Sequence, residues 1–400
     1  MPPAQLFRGL IRARGFSLAV IVTLGIGVAA LALTLGVFDA AVWRQPPFGD
    51  ATSIMILYTQ RAEAGRGTHA ERWSYARLRM LRENPGAFEQ VANFSSTTIN
   101  LTGLGDPEPV NGEIVSPEYF PLLRATALRG RMFAAGDDDA AGQRPVVVIG
   151  YDFWQRRFAA DSNVVGRTVN VNGTPLTVIG VAPRGFRGLT DRAEIWIPTT
   201  MAPALTYPEY LTTNQNFISV AARLRRGEAL SPANAELAAV AARINTLVRP
   251  EGVGPGESVT AAAVPLNAAR IDAGTRRSLF VLLGAVALLH LLACANVANL
   301  LLGRAAARRR EAALRAALGG TILQLVRHYG AEAFTLAGFG GAFGVLLATW
   351  TARFVSVPVN VSAGRNFYGS IGTFDSPDGG ARTVAFGLAI AIVTALLAAC

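Results

Sequence analysis

The sequence predicts a membrane protein: four α-helical transmembrane spans, with an α+β extracytoplasmic domain inserted between spans 1 and 2. Three observations predict this. Of 400 residues, 51% are hydrophobic and only 16% charged, where soluble domains carry roughly a quarter charged residues. Four apolar stretches each approach the ~20 residues that cross a hydrocarbon core. Arginine is concentrated in two short segments beside those stretches, and every basic residue in the chain is arginine.

Residues 1–15 form a basic N-terminal segment, carrying Arg8, Arg12 and Arg14 and no acid. The first span, 16–43, is free of charge until Asp39. It is far longer than the roughly 7–15 residues of a signal-peptide core, so it reads as an uncleaved anchor. Residues 44–277 form the large polar domain. The second span covers 278–303, and residues 304–328 follow as a basic loop with six arginines against Glu311, a net charge of +5. The third span covers 329–352, with Glu332 at its start. Residues 353–381 make a second polar loop, and 382–400 a fourth span still apolar at Cys400, which reads as truncated. Arginine-rich flanks stay in the cytoplasm. That rule places the N-terminus and 304–328 inside, and 44–277, with 25 arginines against 22 acids, outside.

Within 44–277, Ser53–Tyr58 and Val146–Ile149 read as strands, and Glu194–Ile197 and Phe217–Leu224 as further ones. Thr168–Val171 and Leu176–Val181 flank Asn172–Gly173, a hairpin turn pair. Tyr75–Leu81 and Phe153–Phe158 have helical spacing, and Ser231 is placed to cap a helix running to about Val248. The mixture predicts two α+β subdomains.

Composition excludes several chemistries. Without lysine there is no Walker A phosphate lysine and no Schiff base. The two cysteines, Cys294 and Cys400, lie in apolar runs, so no disulfide frames the polar domain. Its one histidine, His69, follows Gly65 and Gly67 in a polar stretch and reads as a solvated loop residue rather than a catalytic base. Asp137–Asp138–Asp139 reads as a solvated acidic turn, because calcium-loop spacing does not follow. No metal-ligand spacing and no nucleic-acid-binding patch is present. The expectation is a protein that is not an enzyme and binds no cofactor of its own.

The spans hold a few polar groups. Asn296 and Asn299 lie 60° apart on a helical wheel with His290 opposite Asn299, which argues for interhelical hydrogen bonding by the asparagines rather than one polar pathway. Gly340 and Gly344 form a GxxxG pair for helix packing, and Ala32 and Gly36 a weaker one.

The segment VVVIGYDFWQRRFAADSNVVGRTVNVNGTPLTVIGVAPRGFRG, Val146–Gly188, resembles the periplasmic core domain of MacB-like transporter permeases. ACANVANLLLGRAAARRREAALRAALGG, Ala293–Gly320, resembles the start of the FtsX-like permease domain, and RGFSLAVIVTLGIGVAA resembles its first span. Within this group the similarity runs to the duplicated orphan permeases of acidobacteria, of which this chain resembles the first half. The resemblance implies an inner-membrane permease subunit of a type VII, mechanotransmitting ABC transporter. It implies a separate ABC ATPase that binds the ATP, a second permease copy or half, and a periplasmic adaptor or envelope protein, with membrane lipids around the spans. It also implies that the loop after span 2 docks on the ATPase. Arg304–Leu318 has helical spacing ended by Gly319–Gly320. Arg308, Glu311 and Arg315 share one face beside Leu314 and Leu318, so the candidate coupling residues are Arg308, Glu311, Leu314, Arg315, Leu318 and Gly319. The same arginines would also serve as a topology signal lying on anionic lipid. Efflux or envelope transport is one functional reading. A transmembrane regulator of a cell-wall hydrolase, FtsX-like and without transport, is the other.

Overall fold

The computed structural model describes residues 14–63, 67–102, 106–138, 144–250, 252–254, 257–271, 273–307, 322–354 and 379–399. In chain order the elements are α1 (Arg14–Phe38), β1 (Ile54–Glu63), β2 (Gly67–Glu71), α2 (Tyr75–Glu83), β3 (Phe88–Thr102), β4 (Glu108–Val115) and α3 (Tyr119–Leu123). They continue with β5 (Arg129–Gly130), β6 (Val146–Ile149), α4 (Tyr151–Phe158), β7 (Thr168–Val171), β8 (Thr174–Val181) and β9 (Ile195–Pro198). Then come β10 (Ser219–Leu224), α5 (Leu230–Leu247), β11 (Ser258–Pro265), α6 (Ala273–Ala307), α7 (Ile322–Phe354) and α8 (Gly379–Ala399). The chain divides into a helical unit holding α1, α6, α7 and α8, and a mixed unit spanning Gln45–Asp272.

The mixed unit is built on a single sheet in the order β11-β1-β10-β3-β4-β9-β6-β8-β5, with β2 paired to β1 and β7 to both β3 and β8. Two subdomains were expected. One sheet runs through both halves instead, because β4 joins antiparallel β3 on one side and parallel β9 on the other. The division survives in the core. One apolar cluster gathers α2, α5 and the β1–β10–β3 end. A second gathers α4 and the β6–β8–β9 end. Between them Phe94, Tyr119, Phe120, Phe133 and Trp196 fill a third, aromatic cluster. Asn172 and Gly173 carry φ of +47° and +82°, the left-handed pair that a two-residue hairpin turn requires. Ser231 does not cap α5: the helix starts at Leu230 after Ala229, with no side-chain cap. The fifteen-residue β3 and its partner β4 were not anticipated, because their polar residues interrupt the alternation a half-buried strand should show.

In the helical unit, Arg14–Trp43, Gly274–Arg304 and Gly330–Thr351 are long and apolar enough to cross a membrane; Ala381–Leu396 is a shorter apolar stretch of α8. α1 continues as a π-helical turn over Asp39–Trp43. α1 lies at the centre of the packing, against α6, α7 and α8.

Candidate functional site

The six candidate coupling residues, Arg308, Glu311, Leu314, Arg315, Leu318 and Gly319, lie outside the described residues. The last described turns before them do carry a cluster. Arg304, near the end of α6, approaches the Glu332 carboxylate of α7 at 3.0 Å. Its guanidinium lies 4.7 Å from the ring centroid of Phe16 in α1. Both charged side chains are largely shielded from solvent, so the attraction is screened less than at a surface. Three helices are thereby tied together where the basic loop begins. At the other end of α1, Asp39 is buried and faces Arg382 of α8 at 3.0 Å and Arg44 at 3.3 Å.

Glycines set the helix spacing. A Cβ on Gly344 would stand 2.7 Å from both the Gly25 carbonyl oxygen and Val28 Cβ, and one on Gly340 would stand 2.9 Å from Leu24 Cβ. The GxxxG pair therefore lies directly against α1. Gly36, of the weaker pair, faces Thr383 of α8, where a Cβ would be 2.9 Å from the hydroxyl. His290 is buried, with Nε2 2.9 Å from Thr394 Oγ1, and Gly27 leaves room for its ring. Asn296 and Asn299 are exposed on α6, and no hydrogen bond to a described residue satisfies either.

In the mixed unit, sequence reasoning missed two heavily bonded, buried polar residues. Glu113 of β4 is fully buried. Its Oε2 accepts hydrogen bonds from Tyr119 Oη (2.5 Å) and Trp196 Nε1 (2.8 Å), and its Oε1 accepts one from the Thr190 amide (2.7 Å). Tyr119 Oη in turn accepts from the Leu189 amide at 2.6 Å. Gly188 takes φ +71°, and a Cβ there would overlap the carboxylate. Burial pushes the Glu113 pKa up, opposed by those hydrogen bonds. One acid thus pins β4, α3, β9 and the 188–190 loop together.

The second is Arg223 of β10, 2% exposed. Its guanidinium donates to the carbonyls of Leu122, Gly49 (2.9 Å) and Asp50 (3.0 Å), and to Ser53 Oγ (2.5 Å). It clasps the strap Gly49–Ser53, the chain that follows the first apolar helix, to the end of α3. A lone acid within Gly112–Val115 and a lone arginine after Val220–Ala222 were the available signals.

Two expectations are corrected. Asp137 is not a solvated turn residue: it is 2% exposed and bonded to Arg131 at 2.5 and 2.9 Å, and Arg131 holds its pKa below the usual range. Asp138 accepts from the Thr200 amide at 2.7 Å, and burial raises its pKa to about 6. Asp139 lies outside the described residues. His69 is not in a free loop. It sits in β2, 3.3 Å from Glu63 and 3.6 Å from Glu71, beside Arg61, which pairs with Glu257 at 2.6 Å. Buried carboxylates and sheet-edge charges both found partners that only the folded chain supplies. Among the described residues, no group of three His, Cys, Asp or Glu side chains could hold a metal ion.

The chain is similar to known families and proteins. A family model described as MacB-like periplasmic core domain matches residues 17–240, and one described as FtsX-like permease C-terminal matches 283–400. The macrolide export ATP-binding/permease protein MacB of Burkholderia thailandensis is 25% identical over 237 residues, 58% of this chain and 34% of that protein. The pyoverdine export ATP-binding/permease protein PvdT of Pseudomonas putida is 26% identical over 236 residues, again 58% and 34%. The chain thus spans about a third of the length of these curated relatives. Among solved structures, the periplasmic region of MacB from Actinobacillus actinomycetemcomitans aligns with a TM-score of 0.38 and 17% identity, over 52% of this chain and 89% of that one. A domain of a permease protein from Porphyromonas gingivalis aligns with a TM-score of 0.42 and 15% identity, over 55% and 92%.

Proposed function

Because this chain belongs to the MacB-like periplasmic core domain family of ABC transporter permeases, we propose that it is a mechanotransmitting, type VII permease subunit. It sits in the inner membrane with its N-terminus in the cytoplasm, is powered by a separate ATPase, and serves efflux or envelope transport. One observation carries the reading. Both ends of the mixed unit enter the same core cluster, Phe48 and Ile54 at its start and Leu266 and Ala269 at its finish, against Leu122 and Leu123. A domain anchored in this way moves as a body when pulled by its connections, because packed cores do not deform continuously. The buried groups found there are structural, which suits a moving part better than a catalyst.

On this reading Arg308, Glu311 and Arg315 set the register of the basic loop on the ATPase, with Leu314 and Leu318 in its groove and Gly319 ending the helix. Affinity capture of the tagged chain from native membranes should bring down an ABC ATPase. Arg308→Glu combined with Arg315→Glu should abolish that capture while leaving the chain in the membrane. Unchanged capture would overturn the docking role, and recovery of a cell-wall hydrolase without transport components would favour the regulator instead.

A further inference from the structure

Beside the Arg223 clasp the mixed unit opens a polar cleft of about 860 Å³, within the roughly 300–1,000 Å³ that small-molecule sites occupy. Arg223 lines it with its guanidinium already engaged by backbone carbonyls. The strap contributes Asp50, the end of α3 contributes Arg124, and the turn after β10 contributes Arg225, Arg226 and Glu228; Glu89 of β3 completes the charged lining. The backbone is strained at two of these positions. Asp50 and Arg124 take φ of +51° and +54°, a left-handed conformation that is uncommon outside glycine and that clusters at ligand clamps. Gly49 makes room for Arg124: a Cβ there would stand 3.1 Å from Arg124 Cδ. Cations are crowded as a result. The pKa of Arg223 is lowered first by burial and next by Arg124. The Asp50 carboxylate already accepts from Ser53 and Thr52 and lies 3.5 Å from both Arg124 and Arg223. Arg225, Arg226, Glu89 and Glu228 are exposed, and none makes a side-chain hydrogen bond or ion pair among the described residues.

We propose that this cleft binds an aminoalkyl phosphate ester, the chemistry of a phosphoethanolamine group. The guanidiniums of Arg124, Arg225 and Arg226 offer planar pairs of donors that match phosphate oxygens two at a time. An anion held there also offsets the repulsion between Arg124 and Arg223. The lining is not uniformly basic, so a bare phosphate would leave Glu89 and Glu228 without a counter-charge. An ester that carries an ammonium group on a short arm answers both signs. Such a group has two sources, a membrane lipid headgroup or a soluble phosphoethanolamine ester. In the chain only residues 44–48 separate the strap from the first apolar helix, which keeps a headgroup among the sources. The inference goes beyond the coupling reading and needs neither the ATPase nor transport, so it stands or falls apart from the role of the basic loop.

The test is ligand binding by the purified, delipidated full chain in detergent. Equilibrium dialysis measures radiolabelled phosphoethanolamine, glycerophosphoethanolamine, glycerophosphate and inorganic phosphate. Native mass spectrometry of the same sample measures short-chain phosphatidylethanolamine and phosphatidylglycerol. The ethanolamine compounds should bind more tightly than their glycerol counterparts. Arg225→Gln combined with Arg226→Gln should weaken that binding about tenfold. Glu89→Gln combined with Glu228→Gln should erase the preference for ethanolamine and leave the glycerol compounds bound as before. Both pairs are exposed, so neither should move the unfolding transition. Arg124→Asn, which tolerates the left-handed backbone, should weaken binding of every phosphate compound. Binding of phosphatidylethanolamine alone would support the proposal with the membrane as source, and equal binding of the soluble esters would support it with a free ligand. No binding of any ethanolamine compound, equal binding of ethanolamine and glycerol compounds, or affinity unchanged in the arginine pair would overturn it.

Discussion

At the scale of single residues, buried polar groups decide what holds the outer unit together. Glu113 accepts from three donors on separate elements, and Tyr119, itself buried, has its pKa driven upward first by desolvation and then by that carboxylate. Replacing Glu113 by Gln turns one acceptor oxygen into a donor that faces other donors. Glu113→Gln should therefore destabilise the unit by about 2–4 kcal/mol, read as a shift in the unfolding transition followed by tryptophan fluorescence of the solubilised chain, since Trp196 touches the network. Asp138 makes a pH prediction. Its folded pKa, about 6, lies above the ordinary value of 3.8. Below pH 3.8 both states are protonated and the group is neutral in its effect. As pH rises from about 4 to 6 the unfolded chain ionises first, so stability falls, and above about pH 6 the penalty is constant. Arg82, Glu118 and Tyr75 are the other charged or titratable groups that act on this carboxyl. Asp138→Asn keeps an acceptor for the Thr200 amide without the charge. It should flatten that slope and raise stability at neutral pH by about 1–3 kcal/mol, checked by denaturant unfolding at about pH 4, 6 and 8.

At the scale of elements, the contacts that matter are a clasp and a seam. Arg223 holds Gly49–Ser53 to the end of α3 through backbone carbonyls, and a lysine cannot reproduce its planar set of donors. Arg223→Met leaves those carbonyls unsatisfied. It should raise hydrogen exchange at the Gly49–Ser53 amides at least about tenfold while exchange in α5 stays unchanged, because the strap would open locally rather than with the whole unit. In the helical unit the seam between α1 and α7 tolerates no side chain at Gly344, where one of the two nearest atoms is the Gly25 carbonyl oxygen, which cannot rotate away. Gly344→Val should cost about 2 kcal/mol or more. Gly338→Ala, at a position of α7 where an added Cβ would meet no atom within 4 Å, should be neutral or slightly stabilising through helix propensity. Thermal unfolding of the two variants in one detergent compares them directly.

At the scale of the whole molecule, the sequence by itself determined the division into apolar helices and one large mixed domain, because span length and charge asymmetry are imposed by the bilayer and are written locally along the chain. The hairpin at Asn172–Gly173, the strand at Val146–Ile149 and the helix over Phe153–Phe158, which the structure starts two residues earlier at Tyr151, were legible for the same reason: turn chemistry and short periodicity are local. β3 and β4 were hidden, since both carry polar residues whose partners, such as Thr199 for Asn93 at 2.8 Å, are distant in sequence. The roles of Glu113, Asp138 and Arg223 were hidden too, and the acidic run was misjudged as solvated. The coupling residues were read from spacing and resemblance, and nothing in the described residues bears on them. Asn296 and Asn299 stood out in the sequence as polar groups in a span, but only the packing of α6 against α1 revealed that they face away from this chain. The reason is common to all of these. Burial of a charge or carboxamide is a property of what surrounds it, and a polar side chain's partners are assembled by the tertiary structure, whereas hydrophobic length and turn geometry are carried by the residues themselves.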